Sequence, residues 1–239
     1  MDAQQEFWHR LREEWLPAYC GDPKRQYAIE GFNAGSKTVS EQDARDFLRA
    51  IDQKVVSVDS GGRFRMPQSK THEVLFWEHS PLIAPRPITL WLEPIITIAA
   101  VARLHLDYGW PVDCLGMQSA DSAFDLMAFK PPDFENEHIA GEVKDSAKQL
   151  DRLLAHMNQC CADGDSECSA PKARKNAHRK VAGLKRCRSP IFWAIGPGGE
   201  SRVFGVMYNE DGRIELSTSA EDSLRFSSQS VRSADNEIR

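Results

Sequence analysis

Two short stretches carry residue types that could do chemistry together. Phe124-Asp125-Leu126 holds an acid in an apolar run, and Gly141-Glu142-Val143-Lys144 follows, with Glu142 seventeen positions after Asp125. Two carboxylates with open positions suit a hard divalent cation, Mg²⁺ or Mn²⁺ in its place, which keeps waters and accepts phosphate oxygens. Such a cation polarises a phosphate and lowers the pKa of bound water. A lysine beside it orients the water or stabilises developing charge. That is the chemistry of phosphodiester hydrolysis.

Strand side chains alternate, so Glu142 and Lys144 face the same way and Val143 the other. Whether Asp125 shares their face turns on a one-residue choice of register that the sequence leaves open. Asp125 lies between Phe124 and Leu126-Met127-Ala128-Phe129, where an acid is costly unless paired or metal-bound. Glu142 and Lys144 suit a solvated edge strand equally well, and Asp125 then needs a salt-bridge partner such as Lys130 or Lys144.

Around this pair stand further candidates. His138 and His156 flank it in sequence, and Asp121 precedes the same strand as Asp125. From Lys172 to Arg188 the chain carries Lys172, Arg174, Lys175, Arg179 and Lys180 among its bases and no acid. That segment is either a phosphate-binding surface or the solvated side of a helix. Gly196-Pro197-Gly198-Gly199 lacks the Lys-Ser/Thr of a phosphate loop and reads as a hairpin turn. Cys160, Cys161, Cys168 and Cys187 match no familiar zinc spacing, and the six tryptophans read as core rather than as a base-stacking platform.

The elements that must position these residues follow from periodicity. Gln4 to Leu16 is predicted helical, with Phe7, Leu11 and Trp15 on one face and Pro17 ending it. Ser40 with Asp43 caps a helix through Ile51. Lys54–Val58 and Arg63–Met66 flank Gly61-Gly62 as a hairpin, and Glu73–Trp77 forms a short strand. Pro81, Pro85 and Pro87 make a rigid connector. A long helix is expected over Leu90–Tyr108, then strands over Val112–Gln118, Ala123–Phe129 and His138–Lys144. Asp145 or Ser146 starts a helix bearing Leu150, Leu153, Leu154 and Met157. Cys160–Pro171 reads as loop, 172–185 as the basic helix, and Ile191–Ile195 and Val203–Tyr208 as strands. Past Ser217 the composition suggests a fraying tail. The domain reading is therefore an N-terminal α+β extension over 1–87, a core over 88–216 and a flexible tail over 217–239.

Composition bounds the classes. The 239 residues are 41% hydrophobic and 27% charged, as in an ordinary globular chain. Arg103 and His105 break the longest apolar run, so no membrane span is expected, and the acidic N-terminus lacks a signal layout. The expectation is a cytoplasmic protein with reduced thiols. A net charge of −5 argues against binding nucleic acid over the whole surface but leaves one basic face open to it.

Helix, strand, strand with Phe124-Asp125-Leu126, strand with Glu142-Val143-Lys144, helix, strand: this order resembles the αβββαβ core of the PD-(D/E)XK, restriction-endonuclease-like nucleases over about Leu90–Tyr208. Phe124 stands where the family's proline precedes the aspartate. The resemblance implies an α+β, α/β-mixed fold with a central mixed sheet flanked by helices. It implies that Asp125 and Glu142 hold Mg²⁺, that Glu93 adds a further acid and that Lys144 is the catalytic lysine. Gln149 matches the glutamine of exonuclease-like members, whose tyrosine partner is here Leu153. The implied activity is a metal-dependent nuclease acting on DNA, compatible with a homodimer. The alternative is an inactive member of the fold serving as a nucleic-acid-binding or assembly module.

Overall fold

The computed structural model describes residues 1–25, 27–80, 82–119, 123–132, 134–163 and 172–227. The chain opens with α1 (Ala3–Arg10) and α2 (Leu16–Cys20), joined by a π-helical turn over Leu11–Trp15. There the Leu16 N–H donates to Leu11 O, and the helix runs on through Pro17, where it was expected to stop. Proline fits because it falls in the first turn of α2, where its missing N–H is no loss. β1 (Phe32–Asn33) and α3 (Glu41–Asp52) follow, and Ser40 Oγ caps α3 by accepting from Asp43 N–H at 2.9 Å. β2 (Ser57–Val58) and β3 (Phe64–Arg65) form the anticipated hairpin. β4 (Phe76–Glu78) pairs antiparallel with β5 (Ile88–Leu90), and β1 lies parallel to β5. Because β4 recruits Ile88–Leu90 as a strand, the long helix α4 begins later than periodicity suggested, at Leu92–Leu106.

Next come β6 (Leu115–Met117), β7 (Leu126–Phe129), β8 (Glu137–Val143), α5 (Ala147–Asp163), α6 (Lys172–Cys187), β9 (Ile191–Ile195), β10 (Ser201–Tyr208) and β11 (Ile214–Ser219). The fold is α+β, and its larger sheet is mixed, in the order β11-β10-β9-β8-β7-β6. All neighbours are antiparallel except β8 and β9. Parallel neighbours require a long crossover, and α5 with α6 lies within it.

Strand alternation divides the core in two. Ile139 and Val143 of β8 join a cluster with Ile95 and Ile98 of α4 and with Phe7, Trp15 and Phe47. Ala140 instead joins Leu150 and Met157 of α5 and Val181 and Leu184 of α6. The first 87 residues thus share a core with the α4 side of the sheet. Glu142, in step with Ala140, takes the α5/α6 side.

Several expectations change. α5 continues through Cys160 and Cys161, both buried in the second cluster, while 164–171, and Cys168 with them, lie outside the described residues. The tail does not fray at Ser217: β11 runs on to Ser219, and Leu224 is fully buried. Trp110 Nε1 donates to Leu224 O at 2.6 Å, and the Phe226 ring packs on Trp110 at 5.1 Å. Two apolar residues in a polar stretch suffice to cover that indole; 228–239 lie outside the described residues. Trp15, Trp110 and Trp193 are core, but Trp77 is 53% exposed. No described helix is long and apolar enough to cross a membrane.

Candidate functional site

β7 and β8 pair with Leu126 opposite Gly141 and Met127 opposite Ala140. One step outward, Asp125 falls across from Glu142, and directly opposed antiparallel residues share a face. That settles the register the sequence left open. Asp125 sits at a bend just before β7. Its N–H donates to Gly141 O at 2.9 Å, and its Oδ2 accepts from Val143 N–H at 2.8 Å. Glycine is needed at 141, since a Cβ there would lie 2.5 Å from Leu126 Cγ.

Glu142 is 1% exposed, and both its oxygens meet ammonium groups. Oε1 lies 2.8 Å from Lys144 Nζ, and Oε2 contacts Lys180 Nζ, which arrives from α6. Lys180 also donates to Ala123 O. Lys144 Nζ donates in addition to Val143 O at 2.6 Å and lies 3.3 Å from Glu93 Oε1, in the first turn of α4. Burial and the nearby Asp125 push the Glu142 pKa up to about 7 against the pull of Lys180 and Lys144. For Lys144, burial opposes the charged form, but Glu142, Asp125 and Glu93 outweigh it and raise its pKa. Burial also raises Glu93, partly offset by Lys144.

One member comes from the N-terminal region, where the sequence suggested no chemistry. Glu73 pairs with Phe64 across an isolated bridge and is 4% exposed. Gln118, in the left-handed region at φ 59°, donates its Nε2 to Glu73 Oε1 at 2.6 Å. Burial pushes Glu73 up to about 8; the Gln118 hydrogen bond opposes this, while Asp125 and Glu93 add to it. The available signal was an acid immediately before the apolar run Val74-Leu75-Phe76.

Beside the carboxylates a groove of about 720 Å³ opens between α5 and α6. It is lined by Lys144, Gln149, Arg152, Leu153, His156, Lys175, Asn176 and Arg179, with no acid among these lining residues. Lys175 and Arg179 are exposed, as a phosphate-binding role needs, and Arg174 is half-buried. Lys180 departs from that expectation: it is 2% exposed and turned inward to Glu142. Its place beside Ala177, Val181 and Leu184, all buried, puts it on the apolar stripe of α6, a spacing visible in the sequence. The side chain of Lys172 lies outside the described residues, as does Asp121. Gln149 is exposed on the rim, with Nε2 donating to Asp145 Oδ1 at 2.5 Å, and does not join the carboxylates. His156 lines the groove. His138 sits toward the other end of β8 against Trp110, its pKa lowered to about 4 by burial and by Lys130.

Asp125, Glu142, Lys144 and Glu93 are therefore brought together. Their donor types, carboxylate oxygens around a buried strand end, are those a hard cation takes. As placed, however, Glu142 is saturated by lysines, and among the described residues no three acidic, histidine or cysteine side chains converge as a metal-holding group. No protein-family model, curated protein or solved structure gives a significant match to the chain.

Proposed function

We propose that the chain is a nuclease with a restriction-endonuclease-like core, hydrolysing phosphodiester bonds in DNA with the help of Mg²⁺ or Mn²⁺. The observation that carries this reading is the meeting of Asp125, Glu142 and Lys144 on one face, at the mouth of a groove lined by cations. The order α4, β6, β7, β8, α5, β9, antiparallel up to β8 and parallel from β8 to β9, supports it.

Asp125, Glu142 and Glu93 are the residues that would hold the cation, whose contribution is to polarise the phosphate and acidify a water. Lys144, held by Glu142 and Glu93 with its ammonium at the groove, stabilises negative charge gathering on the phosphate oxygens. Lys175, Arg179 and Arg152 bind and orient the phosphate backbone along the groove. Asp125, tied to Val143 N–H, fixes the end of β8 so that Glu142 and Lys144 keep their spacing.

The test is cleavage of plasmid, linear and single-stranded DNA in Mg²⁺ or Mn²⁺. Wild type is expected to cut, and Lys144→Ala to lose roughly 100- to 1,000-fold, as for a lost charge-stabilising donor. Asp125→Ala should fall at least as far. Equal cleavage by all three proteins removes the assignment. A second reading, a non-catalytic nucleic-acid-binding module, is favoured by the two lysines on Glu142. It predicts groove-dependent DNA binding with no cleavage in any metal.

A further inference from the structure

Glu142 has two carboxylate oxygens, and each is met by an ammonium on a different element: Lys144 from the end of β8, Lys180 from α6. The two lysines are not equivalent. Lys144 has a second carboxylate partner in Glu93 and opens on the groove. Lys180 is sealed behind the strand pair, and its other described partner is the neutral Ala123 O. A divalent ion bonded to oxygens at about 2.1 Å cannot share Glu142 Oε2 with an ammonium in contact with it.

We infer that Lys180 is a tethered cation that holds Glu142 in place of a divalent ion, so that metal binding requires Lys180 to leave that carboxylate. The inference rests on the nuclease reading, because it concerns the metal that reading invokes. The exchange keeps the positive charge beside Glu142 when no divalent ion is there, which spares the buried carboxylate from standing alone. It also sets the metal affinity. When only a fraction of molecules has Lys180 withdrawn, the apparent dissociation constant is the intrinsic one divided by that fraction.

The experiment is a calorimetric Mn²⁺ titration of the full chain as wild type, Lys180→Met and Lys180→Arg, each checked for folding by circular dichroism. Lys180→Met is expected to bind Mn²⁺ about tenfold more tightly or better, corresponding to a withdrawn fraction of about a tenth or less in wild type. Lys180→Arg, which keeps the charge, is expected to remain near wild type. Equal affinity in wild type and Lys180→Met overturns the inference and leaves the nuclease reading standing. Absence of binding in every protein overturns both. Should Lys180→Met not fold, wild type alone decides by amine acylation followed by mass spectrometry. Lys180 is expected to react faster at saturating Mn²⁺ than without it, and an unchanged rate overturns the inference.

Discussion

Two sets of buried acids sit on opposite sides of the same sheet and behave differently. On α3, Asp43 and Asp46 are 3% and 1% exposed. Asp43 accepts from Ser40 Oγ at 2.7 Å and from Gly198 N–H at 2.6 Å. Asp46 accepts from Gln42 Nε2 at 2.8 Å and from Arg49 Nη1 at 3.1 Å, with Arg103 Nε at 3.9 Å. This network ties α3 to the β9–β10 turn and to α4 and ends there. Around Glu142 the acids are as deeply placed, but Lys144 lines an open groove. Burial of a charge is common to both; access to a cation-lined groove belongs to one. That difference, rather than depth, marks the candidate site.

The comparison breaks most decisively if the α3 network proves dispensable. Asp46→Ala leaves Arg103 buried beside an apolar neighbour and is expected to cost about 3–5 kcal/mol of stability, the range for breaking a buried pair. Denaturant unfolding measures it, and any DNA cleavage at low temperature should persist. A loss under 1 kcal/mol would show the network to be decoration.

Glu73 sharpens the contrast by its response to pH. Its folded pKa, about 8, lies above the value of an unfolded glutamate, near 4.3. The folded state therefore keeps a proton that the unfolded state releases. The stabilisation is complete below the unfolded value and is lost as pH rises through about 8. Glu73→Gln should flatten the stability profile between pH 5 and 9 and gain roughly 2 kcal/mol over wild type at pH 9, taken well below the full shift at 1.36 kcal/mol per unit. A profile unchanged in slope would place Glu73 in contact with water.

The smallest effect is expected on the groove wall. Lys175→Ala and Arg179→Ala should each weaken DNA binding evenly across sequences, leave stability intact and reduce the salt slope by about one. Fluorescence anisotropy at several salt concentrations reads this. An unaltered slope would remove the groove as the path of the phosphates.

Much of the framework was legible because its signals are local. The apolar run before Gly109, the alternation of β7 and β8 and the Ser40 cap each sit within a few residues of what they specify. The Asp125, Glu142 and Lys144 grouping was legible up to one bit, the register, which the pairing of Leu126 with Gly141 supplies. What was missed is non-local. Glu73 reaches the site from a region whose own pattern suggests only a short strand. Lys180 was read with its basic neighbours, although its helical phase matches Ala177 and Leu184. Leu224 and Phe226 matter only because Trp110, far back in the chain, needs covering.

The parallel pairing of β8 with β9 has a consequence for the order of folding. Asp125 and Glu142 meet through a short antiparallel connection, which closes early and cheaply. Lys180 reaches Glu142 only when the α5–α6 crossover has packed on the sheet, a longer-range closure of the slow kind. Until that moment Glu142 remains hydrated, and its removal from water coincides with the arrival of its counter-charge. Assembly in that sequence means the chain never passes through a state with a bare carboxylate in a dry core.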